Sequence, residues 1–402
     1  IGLSEGQEVP ILGGSKLTGR VGGWTVGAMN VVTDEKWYAE DDTTDVFVPT
    51  TLWSVVSLRR NVLSRSSVGL LAASKDARDG DFNRTVGLDA NFALGRSTSL
   101  TGQLAGVFDP DIVGILADGN NLAYSGRYRF DSDLWEAELQ YRQVGEEFEP
   151  ETGYIRRTGL RETSGQVGWS PRPDRLGIRQ VSFGLEGSYL TDLADRLETR
   201  RLEFRIWTFM ENTANYFLTL QRQYDLVPED FTVYYDPDTE DEVVIPAGPY
   251  EWDGVSVRIN SDGRRPLGLR GGGSFGGYYG GTRLSGNIDL SWRPSANLNS
   301  SLNWNRNLVW DAGVGDVGSF QTDVLSLRVN YAFTPNLFTK AYVQYNDLRN
   351  TIVANYLLHW ILRDGTEIYL VYNEGYATGA EYDRPFATGR TLMLKATYLM
   401  LW

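Results

Sequence analysis

From residue 17 onward, apolar and polar residues alternate with period two in stretch after stretch, the spacing that sends successive side chains to opposite faces of a β-strand. Leu325, Leu327, Val329, Tyr331 and Phe333 share one face, and Ser326, Arg328 and Asn330 the other. Trp135, Ala137, Leu139 and Tyr141 alternate in the same way with Glu136, Glu138, Gln140 and Arg142, and Leu202, Phe204 and Ile206 with Arg201, Glu203 and Arg205. At the end of the chain, Leu392, Leu394, Ala396, Tyr398, Met400 and Trp402 form one apolar face that finishes on an aromatic. A strand of about ten residues with a continuous apolar face is long enough to cross a bilayer. One such strand suits a soluble sheet equally well; its recurrence does not, because a soluble sandwich has shorter strands and polar outer faces. The pattern predicts an all-β fold, an antiparallel transmembrane β-barrel with a greasy outside and a polar inside.

The connections alternate between short and long. Short ones fall at 22–23, 95–99, 262–266 and 363–365, among others; long ones fall at 34–45, 109–120, 145–155, 226–249, 311–318 and 378–387. If the C-terminal strand ends at the periplasmic rim, the short turns are periplasmic and the long, acidic set faces outward. Twenty-one strands are counted between about residue 9 and Trp402. Bacterial single-chain barrels are even-stranded, so about 22 are expected, with residues 1–4 as the tail of a further ascending strand. No linker divides residues 1–402, and the whole is read as a single barrel domain.

Composition narrows the picture. No run of 18 apolar residues occurs, which excludes a helical membrane protein but not a barrel. Twenty-two Tyr and 12 Trp suit aromatic girdles at the membrane interfaces. Cys is absent, ruling out thiolate chemistry, and a net charge of −14 argues against a nucleic-acid partner. Membrane lipid is the partner that the pattern itself implies.

Four stretches carry a family resemblance: IGLSEGQEVPILGGSKLTGRVGGWTVGAMNV (1–31), RRNVLSRSSVGLL (59–71), NRTVGLDANF (83–92) and VGEEFEPETGYIRRTGLR (144–161). They resemble bacterial outer-membrane β-barrel domains of unknown function that follow a domain similar to family 9 carbohydrate-binding modules. The resemblance implies an upstream carbohydrate-binding-like domain and a first strand that this chain lacks, and it agrees with 22 strands. The last strand, with Tyr398 and Trp402, also resembles the closing-strand signal read by the barrel-assembly machinery.

Candidate chemistry is sparse. Arg127, Arg129, Glu136, Glu138, Arg142, Arg201, Glu203, Arg205, Arg258, Arg328, Lys340 and Lys395 fall on the lumen face by period. Such a set either orients polar solutes or only satisfies a wet interior through cross-strand ion pairs. The single His359 also points inward; Ser326 and Asp289 are inward too, but no spacing joins them to it, so a hydrogen-bonding role is expected and no catalytic group. Asp236, Asp238 and Glu240 have the alternate spacing of a calcium loop but lack its Gly and terminal Glu, so a solvated acidic loop is the expectation and no metal or other cofactor is implied. Tyr234, Tyr235, Tyr250 and Trp252 suit sugar stacking or an interface girdle. The run 271–277, Gly-Gly-Gly-Ser-Phe-Gly-Gly, has no Lys-Ser/Thr and is no phosphate loop; a bend or a segment packed on the wall is expected.

About 22 strands enclose a lumen too wide to stand open. The sequence therefore points to an outer-membrane transporter or gated channel for polar solutes, with saccharides suggested by the resemblance alone. Its lumen would be filled by inward loops, an N-terminal segment or a partner chain. The alternative is a structural outer-membrane anchor with a plugged lumen, and an outer-membrane enzyme is disfavoured.

Overall fold

The short connections follow from backbone geometry. Gly22 and Gly23 take φ of 55° and 83°, the two consecutive positive values that a two-residue hairpin with the twist of its strands requires and that only glycine adopts without cost. In the computed structural model the described residues are all except 1, 5, 40–44, 113–118, 237–239, 315–317, 379–384 and 400–402.

Twenty-one antiparallel strands succeed one another in the hydrogen-bonded order of a closed barrel, each next to its neighbour in sequence. The chain also divides into two compact units, residues 1–168 with 186–200, and residues 169–185 with 201–402. The first unit contains β1 (Ile11–Val21), β2 (Trp24–Thr33), β3 (Thr51–Val62), β4 (Ser66–Ala77), β5 (Phe82–Leu94), β6 (Thr98–Phe108), β7 (Leu122–Asp131) and β8 (Trp135–Val144). Then come β9 (Leu160–Trp169), β10 (Ile178–Asp192) and β11 (Leu197–Met210), whose residues are shared between the units. The second unit contains β12 (Asn215–Val227), β13 (Gly248–Asn260), β14 (Leu267–Tyr278), β15 (Gly281–Trp292), β16 (Leu298–Trp310), β17 (Phe320–Thr334), β18 (Leu337–Asn346), β19 (Thr351–Arg363), β20 (Thr366–Ala377) and β21 (Phe386–Thr397).

Register sorts the side chains into two faces. In the first unit Leu58, Leu70, Leu88 and Leu104 lie in one cross-strand row. In the second, Phe275 lies opposite Leu284, and Trp304 opposite both Ile288 and Leu325. Most of these side chains are exposed: Leu88 is 56% exposed and Phe275 54%. Aromatics mark the short-turn end of the same face, Trp24 and Trp135 in one unit and Trp292 and Trp360 in the other. Near the long-loop end the outward face turns polar, with Arg84 paired to Asp76 at 2.6 Å in one unit and Arg222 to Glu251 at 3.0 Å in the other. An apolar band bounded by aromatics and then by charges is the outside of a membrane barrel. The protein is thus an integral outer-membrane β-barrel.

Buried apolar side chains occur at the long-loop ends, where two connections expected to be solvated fold back instead. Residues 145–159 lie over the inner wall of the first unit, where Phe148 packs with Val107, Val144 and Leu160. In the connection 228–247, Phe231–Tyr235 pairs with Glu242–Ile245. This hairpin joins the 311–319 connection through a Val244–Val314 bridge and buries Ile245 with Val227, Val309 and Ala312. The cause is local: Val243 and Ile245 are fully buried, and burying such side chains outweighs the solvation of the flanking acids. A second correction concerns the start of the chain: Leu3–Ser4 pairs with Gln7–Glu8 in a hairpin outside the barrel order, not as a barrel strand.

Candidate functional site

In the first unit several inward charges are paired. Arg127 lies 3.4 Å from Glu138 and donates to Gln140 at 3.0 Å through Nε, while Arg129 bonds Asp131 at 3.1 Å and lies 3.9 Å from Glu138. Arg142 bonds Glu162 at 2.7 Å, and Arg59 bonds Asp89 at 3.0 Å. Glu136 stands opposite Asp131 in register, its side chain against Gly168. These pairs are half exposed and contribute about 0–1 kcal/mol each.

Above them, the 145–159 segment is tied down at its middle. Asn83, 3% exposed, donates to the Glu149 carbonyl at 2.9 Å and accepts from the Glu151 amide at 3.1 Å. Lys75 pairs with Glu151. The turn into the segment needs Gly145, because a Cβ there would stand 1.9 Å from the Asn120 carbonyl oxygen. Below it a cavity of about 390 Å³ is lined by Arg59, Asp89, Gln103 and Arg142, with Phe148 and Ile155 at its edge. One of the four stretches that carried the family resemblance, 144–161, contains this inward segment.

The second unit is built differently. Glu203, only 6% exposed, pairs with Arg201 and lies 3.6 Å from Arg205. Withdrawing a carboxylate from water is costly unless cations compensate it, and here two do. Their guanidinium groups, about half exposed, border a recess of about 680 Å³. Its far wall follows register: Arg258 stands opposite Phe217 and Gly272, Gly272 opposite Asn287, and Asn287 opposite Asn305. Gly272 makes the depth, since a Cβ there would meet the Val257 carbonyl oxygen at 2.7 Å. The glycine run thus lets strands come close and hollows the wall.

Arg258 lies over the Phe217 ring at 5.5 Å, Arg328 over Tyr342 at 5.3 Å and Lys340 over Phe338 at 5.6 Å. None of the three has a carboxylate in ion-pair contact among the described residues. An exposed cation–π contact contributes about 0.5–1 kcal/mol and holds the cation without neutralising it. Lys395 lies over Tyr369 at 5.7 Å.

His359 points inward, as its period requires. Its Nε2 is 3.0 Å from Glu367 Oε2, and its ring stacks on Tyr369 at 4.1 Å with Phe338 edge-on at 4.7 Å. Tyr369 also donates to Glu367. Ser326 faces Gln344 and Asn303, and Asp289 pairs with Arg270 at 3.9 Å, so neither joins His359.

Of the acidic triplet, Asp238 lies outside the described residues; Asp236 accepts from the Tyr234 hydroxyl at 3.5 Å. Burial, then the Asp236 charge, pushes the Tyr234 phenol up. Tyr234 stacks on Phe320 at 4.6 Å, and Tyr250 and Trp252 pack on Tyr279 at 5.4 and 5.1 Å. These rings therefore form a rim cluster, neither girdle nor open sugar platform. Burial and the hydrogen bond from its hydroxyl to Asp225 push Tyr279 up to about 12. Tyr398 is 64% exposed, with Arg363 over its ring at 4.9 Å; Trp402 lies outside the described residues.

Sequence reasoning missed Glu367, Asn287, Phe217 and the Arg59–Asp89 pair. All four obey the same period-two rule, applied to strands whose alternation is interrupted by glycine or by inward apolar residues.

No family model and no curated protein matches the chain. Among solved structures, a mutant ferric enterobactin receptor, PfeA of Pseudomonas aeruginosa, with enterobactin bound is similar over 92% of this chain and 72% of its own, at 11% identity and a TM-score of 0.47. The siderophore receptor PirA of Acinetobacter baumannii covers 91% of this chain and 73% of its own at 9% identity and a TM-score of 0.44. OmpT, an outer membrane protein of Vibrio cholerae, covers 94% and 98% at 10% identity and a TM-score of 0.28. The ligand named for PfeA belongs to that receptor.

Proposed function

We propose that the barrel is an outer-membrane transporter of polar solutes, saccharides in particular, and that the inner wall of the second unit is where the solute is held. The observation that carries this reading is the recess beside Arg201, Arg205 and Arg258, with its floor of Asn287, Asn305, Ser274 and Ser285. Its volume of about 680 Å³ falls within the range of about 300–1,000 Å³ typical of small-molecule sites. Side-chain amides and hydroxyls offer donors and acceptors to a polyhydroxylated molecule, and Trp207 and Phe217 supply apolar faces at the same place. The carbohydrate-binding-like domain suggested by the sequence resemblance is consistent with a saccharide cargo and is part of the proposal.

The test is flux. Proteoliposomes holding the refolded 402-residue chain should swell in di- and trisaccharide solutions faster than protein-free liposomes. Impermeability to every polar solute tried would sink the transporter and leave the anchor.

A further inference from the structure

A wall that only has to be wet pairs its charges, and in the first unit Arg59, Arg127, Arg129, Arg142 and Lys75 each have a carboxylate partner, while Lys16 and Arg20, inward on β1, have none in ion-pair contact among the described residues. Along the inner wall of the second unit cations exceed carboxylates. Arg201 and Arg205 both contact Glu203, while Arg258, Arg328 and Lys340 rest on aromatic rings with no carboxylate in contact among the described residues. This happens in a chain of net charge −14, in which carboxylates are plentiful.

We propose that the recess binds an acidic saccharide, a polyhydroxylated ring bearing a carboxylate. The inference rests on the solute-path reading above and narrows it to one class of cargo. The Arg258 guanidinium, held by stacking and left unneutralised, keeps its donors for a planar carboxylate, which matches their fork geometry. Glu203, nearly buried in the wall of the same recess, fixes Arg201 and Arg205, whose exposed edges border the recess as a preset cationic lip. Asn287, Asn305, Ser274 and Ser285 face them across the recess and suit ring hydroxyls. A neutral sugar would satisfy the floor and leave the arginines with water. An inorganic anion would satisfy the arginines and leave the floor.

The experiment is equilibrium binding to the full chain, refolded in detergent micelles, with trigalacturonate and its fully methyl-esterified form as probes. The acid should bind at least tenfold more tightly than the ester, and added salt should weaken the acid alone. Arg258→Ala should lower acid affinity about tenfold or more, Arg258→Lys should recover only part of it, and Asn287→Ala should weaken acid and ester alike. Asn287→Ala changes no charge, so it tests the floor even if the arginine variants fail to refold. Equal binding of acid and ester, or unchanged affinity in folded Arg258→Ala, would overturn the acidic-saccharide site. Preferential binding with no flux in proteoliposomes would keep the site and remove the transporter.

Discussion

Asp262, in the short turn between β13 and β14, gathers four donors. Thr213 Oγ1 lies at 3.1 Å, and the Arg264 amide and side chain at 3.0–3.2 Å. The Arg264 side chain foremost, then its amide and Thr213, hold the carboxyl down to about 2. A depressed pKa gives stability that is complete above the unfolded value, near 3.9, and lost as pH falls through about 2. Heat-unfolding midpoints should therefore fall more steeply between about pH 4 and pH 2 in the parent than in Asp262→Asn, whose midpoint is lower at neutral pH. Parallel curves would show that the turn contributes nothing. At this scale much was legible: His359, Arg258 and Arg328 face inward as their spacing requires. Their partners were not legible, since Glu367 and Phe217 meet them across strands, and a cross-strand contact depends on register that one strand's pattern does not state.

The long-loop connections behave as elements in their own right. Phe148 sits among Glu146, Glu147, Glu149 and Glu151, a run that reads as solvated, yet its ring is 6% exposed against Val107 and Leu160. One aromatic in an acidic run has no period, so the inward fold was invisible. The second hairpin did leave a signal, two β-branched and aromatic runs, Phe-Thr-Val-Tyr-Tyr and Val-Val-Ile, flanking a Pro-containing acidic turn. Phe148→Ala should release the 145–159 segment at a cost of about 3 kcal/mol, roughly a hundredfold more of the open form at 1.4 kcal/mol per decade. Trypsin cleavage after Arg156 or Arg157 should accelerate accordingly while the barrel remains heat-resistant. Unchanged cleavage would mean that the Asn83 and Lys75 ties alone hold the segment.

For the whole molecule, period-two alternation was enough to predict an antiparallel membrane barrel and to count 21 strands, matching the 21 in the barrel order. It works because in a membrane barrel one face of nearly every strand meets lipid, so each strand repeats the same constraint. The tail expected at residues 1–4 is different: Leu3–Ser4 pairs with Gln7–Glu8 outside the barrel order. The alternation was silent on charge balance, because period assigns a side chain to a face and says nothing of whether its neighbours neutralise it. That balance is what distinguishes a cationic solute path from a merely wet interior. The most direct test is the reversal potential of the full chain in a planar bilayer across a potassium chloride gradient. A hydrated path along Arg201, Arg258 and Arg328 predicts discrete conductance that prefers chloride, with the preference reduced in Arg328→Ala. A silent bilayer, or a cation-selective conductance, would contradict it.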